Sequence, residues 1–204
     1  FLDNFKVFNG QANLVSENLK LFGSWLSLNL ADLSETRFNR GNVESSIVLR
    51  KGGATFAGLS GSLDSSKFEG EIRLRFLEKN SLSANLRIDQ INLDAYIMED
   101  KDNKNNFFND NNAFSALDEI VLDMKFDKVS FIDSAFEKIN FSATFVENKL
   151  NIRKLEVNNF KDGILNISGD INYLGKKPEY NLIFDYNKHL IVTVGDPKQA
   201  IYKF

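Results

Sequence analysis

The chain has no cysteine. That absence removes disulfides, thiolate zinc sites and cysteine nucleophiles together, and it fits an oxidising compartment as well as a reducing one. With a single histidine, His189, a two-histidine metal site cannot be built from these 204 residues. No charge sign dominates: 25 Lys plus Arg stand against 28 Asp plus Glu, a formal net charge of -3, so nothing global draws the chain to nucleic acid. Long apolar runs are missing as well. The uncharged stretch Leu21 to Ala31 has 11 residues, where a membrane-spanning helix needs about 20. An initial Phe1 in place of methionine reads as a segment of a longer protein, with any membrane anchor outside it.

What the sequence has instead is a globular share of apolar residues, 43%, arranged with period two. Leu26, Leu28 and Leu30 alternate with polar or small residues. Phe68, Gly70, Ile72, Leu74 and Phe76 alternate with Glu69, Glu71, Arg73 and Arg75, which makes one face apolar and the other charged. Leu82 to Ile88 repeats the device, and Ile91 to Ile97 resumes it after an odd step that implies a bulge or a bend. Ile120 to Phe126, Ile139 to Phe145, Leu150 to Val157, Leu165 to Tyr173 and Leu182 to Tyr186 continue the series. Turn formers punctuate it at Asn9-Gly10, Gly52-Gly53, Glu78 to Asn80, Glu147 to Lys149, Asp162-Gly163 and Gly175. Roughly ten short strands at this spacing predict an all-β antiparallel meander.

Two segments, Phe1 to Phe8 and Ala113 to Glu119, carry apolar residues at three- and four-residue steps and read as short helical turns. The Asn-rich stretch EDKDNKNNFFNDNN, from Glu99 to Asn112, reads as an unstructured connection. The expected organisation is therefore a first β unit over 1–98, a connector over 99–114, a second β unit over 115–186 continuing the same layer, and an edge segment over 187–204. The halves resemble each other: each has a Leu-Asp pair (Leu2-Asp3, Leu117-Asp118) and a glycine-punctuated strand (LSGSLD at 59–64, ISGDIN at 167–172).

Motifs of chemistry fail on their parts. Asp100 to Asn111 offers Asp100 and Asp102 to a calcium loop, but Lys104, Asn105 and Asn111 stand where the ligand, glycine and glutamate are needed. The cluster Gly52, Gly53, Gly58 and Gly61 has no following Lys-Ser/Thr pair, so turns and strand bends explain it better than a phosphate loop. Glu69, Glu71, Asp123 and Asp170 fall on polar strand faces, where nothing raises a carboxylate toward general-acid duty. Trp25 and Tyr180 read as core aromatics, and His189 has no sequence partner to orient it. No catalytic or metal-binding residue and no cofactor is expected, and the chain is not read as an enzyme. What remains is an apolar face that must be covered, either by closing two layers into a dry sandwich or by leaving a groove whose natural occupant is an acyl chain.

The stretch SANLRIDQINLDAYI, Ser83 to Ile97, contains an Ile/Leu-x-Leu-Asp-x-Tyr-Ile/Leu element in Ile91, Leu93, Asp94, Tyr96 and Ile97. A low-complexity connector follows, then Leu117-Asp118, and finally GILNISG from Gly163 to Gly169. In this order the chain resembles the AsmA family of bacterial envelope proteins, to which TamB-like proteins are related. The resemblance implies an elongated β-sheet curled into a hydrophobic groove, in the periplasm, anchored to the inner membrane by a helix outside these residues. It further implies a part in phospholipid transport or outer-membrane biogenesis, with Asp94 and Tyr96 as structural markers.

The expected lipid-binding residues are Leu28, Ile72, Leu74, Phe76, Leu86, Leu122, Met124, Phe126, Ile139, Phe141, Phe145, Leu165 and Ile167. The expected partners are a phospholipid or other acyl-chain lipid and an outer-membrane protein, with no nucleic acid. The alternatives are a closed β-sandwich binding a polysaccharide or protein, and a fragment of an outer-membrane barrel; short runs and scattered aromatics weigh against the barrel.

Overall fold

The computed structural model describes residues 7–21, 39–95, 117–161, 163–172, 178–186 and 190–194. Within them the chain is almost all β, one sheet of eleven strands whose spatial order follows the sequence from β1 to β11. The strands are β1 Val7–Ser16, β2 Gly41–Arg50, β3 Gly53–Leu63, β4 Ser66–Phe76, β5 Asn80–Asn92, β6 Glu119–Phe131, β7 Ser134–Val146, β8 Lys149–Phe160, β9 Gly163–Asn172, β10 Glu179–Tyr186 and β11 Leu190–Val194. The sheet is not closed into a barrel, since β1 and β11 are its two ends. Nor do the described strands divide into two sheets.

Local chemistry explains the hairpins. Ile132 and Asp133, at φ 47° and 57°, form the two-residue turn between β6 and β7; Glu147 and Asn148, at 49° and 63°, do the same between β7 and β8. Paired left-handed residues match the twist of the flanking strands. Gly70 and Gly169 lie inside strands at φ 151° and 132°, where a Cβ would collide with the carbonyl oxygen of Asn85 or of Asn181 on the neighbouring strand.

Several expectations are corrected. Neighbours pair antiparallel throughout except β5 and β6, which run parallel from Ser81↔Glu119 to Asn92↔Ser130. The cause is the long connection between them: a tight turn can only reverse the chain, whereas a dozen or more residues can carry it back to start a parallel strand. Asn9-Gly10 is no turn but lies within β1, paired with Val48 and Ile47. Val7 and Phe8 belong to that strand and Glu119 to β6, so neither end reads as the helical turns expected there; the rest of 1–8 and of 113–119 lies largely outside the described residues. A short helical turn forms at Leu93–Ala95, so the β5 alternation stops at Asn92.

Strands β1 to β9 are 10 to 13 residues long, longer than their apolar runs, because ladder hydrogen bonds continue past the last apolar side chain. Their shortness therefore no longer argues against a barrel; the open strand order does. The connector over 99–114, Leu28, Trp25, Tyr96, Gly175 and His189 lie outside the described residues.

Aspartates pin both ends of the parallel junction. At its start the Asp118 carboxylate accepts the Asn80 N–H at 2.7 Å, and the Asp118 N–H donates to the Asn80 carbonyl at 2.7 Å. At its end both Asp94 oxygens accept the Ile132 N–H, each at 3.0 Å, tying the helical turn to the β6–β7 hairpin. Asn92 Oδ1 accepts the Asp94 N–H at 3.1 Å and caps that turn.

Candidate functional site

Register turns the alternating strands into rows. Leu74, Leu82, Ile120, Phe145, Leu150 and Ile171 stand opposite one another on β4 to β9. Ile72, Ala84, Leu122, Ala143 and Ile152 form the next row, and Leu86, Met124, Phe141, Leu155, Ile167 and Phe184 a third. The fourth is Phe68, Ile88, Phe126, Ile139, Val157, Leu165 and Tyr186. Rows two residues apart along a strand share a face, so the four make one continuous apolar surface. At about 6.7 Å per row it is about 20 Å wide.

Eleven of the thirteen expected residues fall in these rows. Phe76 shares their face but sits at the strand end opposite Asn80, 52% exposed. Leu82, Ile120, Leu150, Ile152, Leu155, Val157, Ile171 and Phe184 belong to the surface too, and sequence reasoning left them out of the site. Pairing each strand's alternation with its neighbour's would have found them. Tyr180 at the end of the first row is 48% exposed, not a core aromatic.

The surface is incompletely covered. Among the described residues only eight apolar side chains are buried, and no large side chain is fully buried. A packed cluster joins Val129, Ile139 and Val157, at 6–8% exposure, with Ile91, Leu93, Phe136 and Phe160 around them. All come from adjacent strands and the Leu93–Ala95 turn; no second layer contributes. Aromatic rings finish this end: Phe136 stacks on Phe160 at 6.1 Å, Tyr186 meets Phe160 edge-on at 6.0 Å, and the Tyr186 hydroxyl donates to the Lys161 carbonyl at 2.7 Å.

The opposite face is a lattice of charged and polar pairs, some between strands and some along one strand. Arg153 reaches Asp123 at 3.1 Å and Thr144 at 3.1 Å, and Ser142 donates to Asp123 at 2.6 Å. The Lys154 ammonium, 2.8 Å away, and the Asn140 amide hold the Glu156 carboxyl below its ordinary range against a weaker opposing effect of burial. The Asn151 amide at 2.8 Å, helped by Lys149, does the same for Asp170. Carboxylates so held stay ionised and solvated. The described residues hold no cluster of His, Asp and Glu fit for a metal ion, and no helix among them is long and apolar enough to cross a membrane. Chemically, one face can shed water onto an apolar ligand and the other can only meet solvent or polar partners. Set against known proteins, the chain matches no family model, no curated protein and no solved structure.

Proposed function

We propose that the chain is a lipid-binding segment of an envelope protein of the AsmA kind, shielding acyl chains on its apolar face without chemistry of its own. The observation that carries this reading is the pairing of a four-row apolar surface with the lack of any layer over it among the described residues. Each methylene moved from water onto such a surface gains about 0.8 kcal/mol, so a chain of about sixteen carbons gains up to about 12 kcal/mol before ordering costs. That is ample for retention, and a surface that repeats row by row also lets a chain slide. The family resemblance supports a periplasmic setting, an inner-membrane anchor outside these residues, and a role in phospholipid transport or outer-membrane biogenesis.

Native mass spectrometry after gentle purification tests the reading. The expected spectrum contains protein with lipid-sized adducts, which disappear in the double variant Met124→Asp and Phe141→Glu while the Arg73→Glu variant keeps them. Lipid-free spectra from the unsubstituted protein, or adducts indifferent to the face substituted, would overturn it.

A further inference from the structure

The two ends of the sheet are built differently. β11 is five residues long, with Asp196 and Pro197 close behind it, and so short a strand beside a proline offers little to a further strand. β1 is ten residues long, has no charged residue and no proline, and pairs with β2 over its whole length without a bulge. Among the described residues β2 is its one sheet neighbour. Alternate backbone N–H and C=O groups of β1 therefore point away from β2, along an edge with none of the devices that discourage further pairing.

The sequence of that edge is its own complement. Outward from Gln11, Gly10 answers Ala12, Asn9 answers Asn13, Phe8 answers Leu14 and Val7 answers Val15. Residues directly opposite in an antiparallel pair share a face, so two copies of β1 with Gln11 against Gln11 set small against small, amide against amide and apolar against apolar. Gly10 pairs with Ile47, Ile47 with Phe56 and Phe56 with Ile72, which puts Phe8, Gly10, Ala12 and Leu14 on the apolar face. The odd-numbered residues lie on the polar face. Val7 and Val15 are 52% and 66% exposed there, opposite Arg50 and Asn42 of β2; across the free edge each meets the other's apolar side chain. The Phe8 ring lies over Gly10, where an added Cβ would stand 2.8 Å from its Cε1, so the small central residues leave the ring room beside a second strand.

We propose that β1 is the interface of a two-fold symmetric dimer, pairing edge to edge with β1 of a second copy of this chain. The new ladder supplies about eight to ten main-chain hydrogen bonds, whichever alternate set faces outward. Main-chain bonds give such contacts their affinity, and the facing side chains fix the register. The two-fold axis stands normal to the sheet between the two Gln11 residues, so both apolar faces fall on one side and the surface continues from copy to copy. The pairing rests on the edge alone and holds whether or not the apolar face takes lipid.

Because the chain lacks cysteine, an introduced one reports the register. Opposed Cα atoms in an antiparallel pair stand about 4.5 or 5.5 Å apart, within disulfide reach either way. Mild oxidation of Gln11→Cys is expected to give a disulfide-linked dimer. Val7→Cys and Val15→Cys are each expected to give little alone, since like positions lie about 27 Å apart, and to give the mixed dimer when combined. All three positions are exposed, so the fold is kept. Analytical ultracentrifugation of the unsubstituted chain is expected to show a dimer that dissociates on dilution, weakened about fivefold or more by Gln11→Lys, which sets two ammonium groups against each other. A monomer throughout the dilution series leaves the edge to a strand of some other chain and overturns the proposal, as does disulfide formation equal in Gln11→Cys and Val7→Cys.

Discussion

Ile132 shows how a residue can oppose the fold that contains it. A β-branched side chain at φ 47° in a two-residue turn is among the least favoured placements on the map, and its side chain, 68% exposed, gains little from packing. Ile132→Asn is expected to stabilise the chain by about 1 kcal/mol, read from the urea midpoint at unchanged slope, because the Asp94 carboxylate still receives the residue's backbone N–H. Such a turn carries no Gly or Asn to advertise it, which is why β6–β7 was illegible as a hairpin while Glu147-Asn148 was plain.

Asp94 was legible only as a marker. Its partner is the backbone N–H of Ile132, 38 residues on, and a main-chain donor leaves no trace in sequence. Glu156 and Asp170 set a pH response at this same scale. Their folded pKa values lie below the ordinary 4.5 and 3.8, so their contribution is whole above those values and is lost as pH falls through the lower folded ones. Acid unfolding of Glu156→Gln, followed by circular dichroism, is expected to show a shallower loss of stability below about pH 4.5 than the parent chain.

At the scale of the element, β8 explains an irregularity visible in the sequence. Its apolar residues are Leu150, Ile152, Leu155 and Val157, with one step of three. The ladders to β7 and β9 both skip a residue between Ile152 and Leu155, so Arg153 is an extra residue on the polar face and the apolar set never crosses over. Deleting Arg153 leaves Leu-Asn-Ile-Lys-Leu-Glu-Val in strict alternation, and the side-chain bonds forfeited among the described residues are exposed ones to Asp123 and Thr144. Thermal melts are expected to change by no more than about 1 kcal/mol equivalent. Deleting Ser142 from β7, where the alternation has no slack, is expected to abolish the cooperative transition.

Most strands were readable from period two. The odd step after Ile88 announced an irregularity, and the ladder indeed omits the Asp89–Asp127 and Asp127–Lys138 pairs. β1 and β2 were harder. Small and polar residues such as Gly10, Ala12 and Ser45 occupy their apolar-side positions, so the contrast on which periodicity depends is weak. The parallel sense of β5 and β6 had one available signal, the length of the Asn-rich connection, which permits a crossover that a turn forbids.

For the whole molecule, the decisive quantity is how little the sheet buries against itself. A sandwich would seal the four rows against a facing layer about 10 Å away and leave most of them dry; here all the described strands share one sheet and the packed cluster draws on neighbours alone. Alternation disclosed the apolar face, yet not the lack of a second layer over it among the described residues, because the same pattern serves a sandwich and an open sheet equally. Curvature and covering are decided by register and bulges spread over many strands, and no single segment records them.

The most direct test places a photo-crosslinking residue at Leu74, at Phe141 and, on the charged face, at Arg73, in the full-length protein in cells. The account predicts phospholipid captured at Leu74 and Phe141 and none above background at Arg73. Capture at the same background level from all three positions would contradict it.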